Sequence, residues 1–216
     1  MNSRDWVIWS DVGNVLAPFF LERYYRNLGG LTGLAPEEVK RRLYGFPSAE
    51  RIHREILTGA LSMDAYRRGV ELLLSHELPA PKFWPAFNDI FDVNHRLVDI
   101  YNHLRRTCQV KRIILMTDAD PQRLKHSMTL CGFKPDDIVA SYEMGCRKPD
   151  KAMFAKGLEL AASDPDRIVY LDDLRANVLA ARELGIQSLL FMYDEVGIQA
   201  ANAIVFGELR ELGFTF

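Results

Sequence analysis

The sequence predicts an α/β fold: a doubly wound parallel sheet, interrupted after its first strand by an all-helical insertion. Three observations lead there. Four short runs are almost continuously apolar and end in polar residues: "WVIWSD" (6–11), "RIILMTD" (112–118), "RIVYLDD" (167–173) and "QSLLFMYD" (187–194). Such runs, lacking polar alternation, are how parallel strands buried on both faces read. Helical patterns separate the last three runs, and strand alternating with helix builds a parallel sheet covered on both sides. Finally, residues 19–106 contain no convincing strand.

In chain order, the first strand precedes helical segments at 19–28, 36–43, 48–58, 62–76 and 94–106, with a Pro-rich stretch, "ELPAPKFWP", among them. Pro36 opens the second of these, as proline suits a first helical turn. After the second strand, Asp120-Pro121 reads as an N-cap followed by proline, starting a helix over 121–131. The next helix, 149–162, starts at Pro149 and gathers Met153, Phe154, Gly157, Leu158 and Ala161 on one face. The last, 174–184, carries Leu174, Val178, Ala181 and Leu184 on one face and stops at Gly185. Two units are expected: a core of residues 1–18 and 107–216, and a helical cap of residues 19–106.

Composition narrows the function classes. The chain has 216 residues, enough for one well-cored domain with an insert, and its 27 basic and 29 acidic side chains leave a net charge of -2. A nucleic-acid footprint needs a basic bias or stripe. The densest basic stretches, "VKRRL" and "YRRGV", fall in helical segments and read as solvated faces. Cys108, Cys131 and Cys146 lack metal-type spacing and are too few for a disulfide framework. No apolar run approaches the 18 or so residues of a membrane span. The N-terminal "MNSRDWVIWSD" lacks the apolar core of a signal peptide, so the expected location is the cytoplasm.

In an open parallel sheet the ligand sits beyond the carboxyl ends of the strands. Those ends carry Asp11, then Thr117-Asp118, then Asp172-Asp173. Lys148, next to Pro149, falls at an expected helix start, where free amides favour anions. The set makes chemical sense. Asp11 can attack phosphorus, and Asp11, Asp172 and Asp173 offer the oxygen ligands that Mg²⁺ prefers. Thr117 can donate to a phosphoryl oxygen. Lys148 can offset the carboxylates as the transferring group gains charge.

The order of these elements resembles the haloacid dehalogenase-like hydrolase superfamily, whose core is a Rossmann-like sheet. The motifs are "VIWSDVGNVL", "IILMTD", Lys148 in "CRKPDKAMF", and "IVYLDDLRANVLAARELGI". The likeness covers about residues 5–18 and 108–207, and the helical insert sits where the family's helical cap does. It implies a central first strand flanked by those carrying the second and fourth motifs. It also implies Asp11 as nucleophile, Mg²⁺ held by Asp11, Asp172, the Gly13 carbonyl and Asp173 through water, and a phosphoryl group bound by Thr117 and Lys148. Asn177 would orient Asp173 or the following turn.

Two departures from the pattern matter. The family's phosphatases usually place an aspartate two residues after the nucleophile, as acid for the leaving group and then base for water; here that residue is Gly13. Losing a positioned acid–base costs about 10²–10⁴ in rate. The metal site survives, because a backbone carbonyl needs no side chain. The "D-x-G-N-V" reading also resembles a branch of sugar-phosphate phosphatases and similar hydrolases. The second departure is Asp118, where asparagine is usual. Four carboxylates against one lysine and one Mg²⁺ repel a phosphate dianion, so Asp118 either turns away or is protonated and replaces the missing acid.

The expected activity is therefore Mg²⁺-dependent hydrolysis of a small phosphorylated metabolite, a sugar phosphate first. Competing readings are a catalytically impaired ligand- or partner-binding protein, a 2-haloacid dehalogenase and a phosphomutase. Within the insert, Tyr44, Arg51 and His53 of "LYGFPSAERIH" are candidates for substrate selection. His76, His95, His103 and His126 show no ligand spacing.

Overall fold

The structure is a computed structural model that describes residues 6–216; the first five residues of the expected core lie outside it. Five parallel strands are present: β1 (Trp6–Ser10), β2 (Val110–Thr117), β3 (Asp137–Ala140), β4 (Ile168–Asp172) and β5 (Gln187–Leu190). They stand in the order β3-β2-β1-β4-β5, so β1 is central and flanked by β2 and β4. In register, Ser10 faces Leu115 on one side and Leu171 on the other. The chain builds outward from β1 in one direction and then in the other, so the switch point lies at the carboxyl end of β1.

Helices cover both sheet faces. One is packed by α6 (His95–Arg106), α7 (Pro121–Cys131) and α11 (Tyr193–Glu211), whose Leu97, Tyr101, Leu124 and Phe206 meet Ile8, Leu115 and Leu171. The other is packed by α9 (Lys151–Ala161) and α10 (Arg175–Glu183), whose Met153, Phe154 and Ala181 meet Trp9, Met116 and Tyr170. A Cβ on Gly157 would come within 2.8 Å of the Trp9 ring, so glycine is what lets α9 sit this close to the sheet.

Between β1 and α6 run α1 (Leu21–Thr32), α2 (Pro36–Tyr44), α3 (Pro47–Leu57), α4 (Met63–Leu74) and α5 (Ala80–Asn88). They enclose a separate apolar cluster of Tyr24, Tyr66, Val70, Phe83, Phe87 and neighbours. By contrast α6, grouped with this insert on sequence, buries its apolar face on the sheet. The Ser141 hydroxyl, in the single-turn α8 (Ser141–Met144), donates to Leu57 O at 2.5 Å and ties the insert to the core.

Four elements differ from the sequence expectation. A helix, α5, occupies the Pro-rich stretch: Pro81 lies in its first turn, and Phe83 and Phe87, one turn apart, are wholly buried. That burial outweighs the ladder bond that Pro85 cannot make. The short edge strand β3 has only four residues, too few for a periodic signal. Helix α11 follows β5, and Gly197 breaks it with φ +75°. Finally, α9 begins at Lys151 with Asp150 as its N-cap, accepting from Ala152 N at 2.9 Å; it does not begin at Pro149.

Candidate active site

The carboxyl ends of β1, β2 and β4 converge, and Asp11, Thr117 and Asp172 come together there as the strand order requires. Asp11 leaves β1 with its amide donating to Leu171 O at 2.8 Å, and its Oδ1 accepts from Val12 N at 2.7 Å. Asp172, wholly buried, ends β4; its Oδ1 accepts from Leu174 N (2.8 Å) and Asn177 Nδ2 (2.9 Å). The Tyr170 hydroxyl donates to its Oδ2. Asn177 therefore holds Asp172; of the two roles that the resemblance implies, orienting Asp173 or the following turn, the bond to Asp173 is not made. Asp173 is held instead by Asn14, whose Nδ2 donates to Oδ2 at 2.9 Å. Asn14 adopts φ +54°, a left-handed conformation that asparagine tolerates better than most residues.

Lys148 crosses this cluster from the loop before α9. Its side chain is 1% exposed, and Nζ donates to Asp172 Oδ2 (2.7 Å), Met116 O (2.7 Å) and Asp11 Oδ2 (3.0 Å). It reaches the site by its side chain and not through helix amides. Burial works against its charge, but Asp11 and then its other anionic neighbours outweigh that and push it well above its usual range. Burial also raises Asp11, to about 8, with Lys148 opposing and Asp172 and Asp173 adding to the rise. Asp173 is raised too, chiefly by burial.

Oxygen atoms of Asp11, Asp172 and Asp173 lie within 4.8 Å of one another. Three carboxylates around one ammonium hold more negative charge than positive. Hard oxygen donors at this spacing fit a small divalent cation such as Mg²⁺.

At Gly13 the missing carboxylate has a structural counterpart: a Cβ there would stand 3.2 Å from Cε1 of Phe19. The aromatic ring takes the space next to the position. Asp118 neither turns to solvent nor stands free. Its Oδ1 accepts from Lys148 N at 3.1 Å, and its Oδ2 pairs with Arg147 Nε at 3.2 Å, with the side chain 11% exposed. Both oxygens serve as acceptors, so Asp118 positions the Lys148 loop.

A cavity of about 260 Å³ opens between this site and the insert. Gly13, Thr117 and Asp118 line it from the core; Tyr44 and His53 line it from the insert. Arg51 does not: it is 68% exposed and pairs with Glu55 at 3.5 Å. His53 stacks on Tyr44 with ring centroids 4.2 Å apart. Its Nε2 lies 3.1 Å from Leu43 O and its Nδ1 3.0 Å from the Tyr66 hydroxyl. Since Leu43 O only accepts, Nε2 carries the proton and Tyr66 donates to Nδ1. Burial first, then Arg123, lowers His53 to about 4, so it is a neutral packing element.

Residues that sequence reasoning missed are Asn14, Phe19, Arg123, Arg147 and Tyr170. Only Arg147, adjacent to Lys148, had a local signal. Asn14 and Tyr170 lie within the first and fourth motifs, but their bonds to Asp173 and Asp172, like the placement of Phe19 and Arg123, come from the tertiary fold.

The fold is shared with haloacid dehalogenase-family enzymes of known structure. A HAD family enzyme from Bacteroides thetaiotaomicron superposes with TM-score 0.71 at 20% identity, covering 85% of this chain and 91% of that one. The same enzyme in complex with magnesium and inorganic phosphate gives 0.71 at 19% identity, covering 85% and 92%. The L-2-haloacid dehalogenase of Xanthobacter autotrophicus gives 0.59 at 12% identity, covering 84% and 75%. In sequence, the chain is 39% identical over 82 residues to drimenol cyclase drtB of Aspergillus calidoustus, 38% of this chain and 15% of that protein. It is 28% identical over 89 residues to bifunctional epoxide hydrolase 2 of Sus scrofa, 40% of this chain and 16% of that protein. These matches therefore span only about a sixth of each curated relative. No family model matches the chain. Among the described residues, no helix is long and apolar enough to cross a membrane.

Proposed function

We propose that the chain is a Mg²⁺-dependent phosphomonoester hydrolase acting on a small phosphorylated metabolite through an aspartyl-phosphate at Asp11. The observation that carries this reading is the acidic trio at the ends of β1 and β4, bridged by the buried ammonium of Lys148. The magnesium and phosphate bound by the Bacteroides enzyme support it. Attack on a halogen-bearing carbon needs no such trio.

Asp11, Asp172, the Gly13 carbonyl and, through water, Asp173 would hold Mg²⁺, which supplies positive charge to the phosphoryl oxygens when bound. Asp11 Oδ attacks phosphorus, and the new P–O bond forms as the bond to the leaving oxygen breaks. Thr117 donates to a phosphoryl oxygen. Lys148 keeps one charge between Asp11 and Asp172 and stabilises the transferring group. Water then attacks the same phosphorus, displacing the Asp11 carboxylate and releasing phosphate. With Phe19 beside Gly13 and Asp118 committed to Arg147 and the Lys148 amide, the leaving oxygen takes its proton from water. Helices α1–α5 act as the cap over the cavity, with Tyr44 and His53 shaping it and Arg51 taking no part.

The test is turnover of an aryl phosphate, whose leaving group needs little protonation, followed by a panel of phosphorylated metabolites with sugar phosphates first. Mg²⁺-dependent hydrolysis that chelation abolishes and Asp11→Asn reduces by at least about 10³ is expected. Activity indifferent to both Mg²⁺ and Asp11→Asn would overturn the proposal. No turnover across the whole panel would favour a ligand-binding role.

A further inference from the structure

Arg123 stands in the first turn of α7 and lines the cavity described above. Its guanidinium is set among aromatic rings, with Cζ 3.9 Å from the Phe87 centroid and 5.2 Å from that of Tyr24. The side chain is only 15% exposed. Nε and Nη2 are shielded from water, yet neither has a hydrogen-bond acceptor among the described residues.

The contrast with Arg67 shows how unusual this is within the molecule. Arg67 is equally buried at 15%, but it donates to Glu71 (2.6 Å), Leu78 O (2.9 Å) and Asp64 (3.1 Å). For Arg123 the nearest carboxylate oxygen is Asp120 Oδ2, 4.0 Å from Nε. That oxygen too has no hydrogen-bond partner among the described residues. A water between the two would satisfy one of the five guanidinium donors and leave Nη2 free. Leaving buried donors unmade is costly, and a turn of the side chain toward the cavity it lines would bring them to an acceptor.

The other cations near the cavity are committed. Arg147 pairs with Asp118, and Lys148 is shared by Asp11, Asp172 and Met116 O. His53 is neutral, with both ring nitrogens used. Arg147 keeps further donors but is 43% exposed, so Arg123 is the lining cation whose buried donors lack an acceptor among the described residues. A planar fork matches the two oxygens of a carboxylate or a phosphate.

We propose that Arg123 binds a second anionic group, carboxylate or phosphate, carried on the leaving-group side of the substrate. The substrate class is then a phosphorylated carboxylic acid or a bisphosphate with a short carbon skeleton. The assignment rests on the phosphomonoesterase reading, which places the reacting phosphoryl group beside Asp11. It goes further by making Arg123 the residue that separates such substrates from neutral ones of the same length.

The test is calorimetric binding, in Mg²⁺, of three non-hydrolysable probes of one chain length: propylphosphonate, 3-phosphonopropionate and propane-1,3-diphosphonate. The wild-type protein is expected to bind at least one of the doubly anionic probes about 10- to 100-fold more tightly than propylphosphonate, the range of a charge-assisted hydrogen bond. Which of the two gains tells carboxylate from phosphate. Arg123→Gln is expected to shrink that preference to within about threefold, and Arg123→Lys to retain part of it. Equal wild-type binding of all three probes, failure of all three to bind, or a preference that survives Arg123→Gln would each overturn the proposal. The wild-type comparison stands even if a variant does not fold. Aryl phosphate turnover separates the two readings. Hydrolysis without a preference among the probes sinks the Arg123 assignment alone, whereas a preference without hydrolysis sinks the hydrolase.

Discussion

The Cβ that Gly13 lacks would stand 3.2 Å from Cε1 of Phe19. A side chain at position 13 would press on the Phe19 ring in its present rotamer, which must give by a few tenths of an ångström to admit it. Gly13→Asp alone is expected to give little gain, because the new carboxylate must first displace the ring. Gly13→Asp combined with Phe19→Ala is expected to raise kcat on alkyl phosphates by at least about tenfold over the single variant, toward the 10²–10⁴ that a positioned acid–base contributes. Aryl phosphates, with better leaving groups, should gain much less. The measurement is kcat on a series of esters differing in leaving-group acidity. Equal gains across the series would show that the pair does not govern leaving-group protonation.

Asp118 accepts from the Lys148 amide and from Arg147, so its role is to hold the loop that delivers Lys148. Asp118→Asn keeps an acceptor oxygen for the amide and loses the ion pair. Arg147 is 43% exposed, so that loss costs little. The variant is expected to keep the wild-type pH–rate profile, with kcat/KM lowered by no more than about tenfold, roughly 1.4 kcal/mol. If a limb of the profile disappears in Asp118→Asn, this carboxyl is a proton donor after all.

His53 gives a pH signature that does not involve the acidic cluster. Its folded-state value, near 4, lies below the 6.5 of the free side chain because burial disfavours its charged form. Between these values the unfolded chain binds more protons than the folded one, so stability falls with falling pH. The contribution is intact above about pH 6.5 and is progressively lost as pH drops toward 4. His53→Gln, which cannot titrate, is expected to flatten this part of the curve of Tm against pH. Parallel curves for the two proteins between pH 4 and 6.5 would show that another group sets the slope.

Much of the site was legible because buried parallel strands need continuous apolar runs, and such runs leave their first polar residues at the sheet's carboxyl edge. Thr117 and Asp172 are such residues, Asp11 follows Ser10 at the same edge, and Lys148 stood out as a cation beside a proline before a helix. The helix from Pro121 to Cys131 was equally plain, since Asp120-Pro121 is a strong local start signal. Helix α5 was obscured because its prolines argue against a helix locally, while Phe83 and Phe87 stabilise it through tertiary contacts, among them those with Tyr24 and Tyr66. Arg51 and His53 looked alike on sequence, two residues apart on one helix. Helical geometry turns them to different sides, one to solvent and one against Tyr44.

By itself, then, the sequence determined four of the five strands, the order of their chemistry-bearing ends and the loss of a side chain at Gly13. These follow from local patterning and from backbone rules that hold wherever parallel strands are buried. Tertiary structure alone decided what each charged group does. It set Lys148 between two carboxylates, committed Asp118 to a loop, placed Phe19 beside Gly13 and left Nε and Nη2 of Arg123 without an acceptor among the described residues. Pairing and desolvation depend on neighbours far apart in the chain, and no local pattern records them.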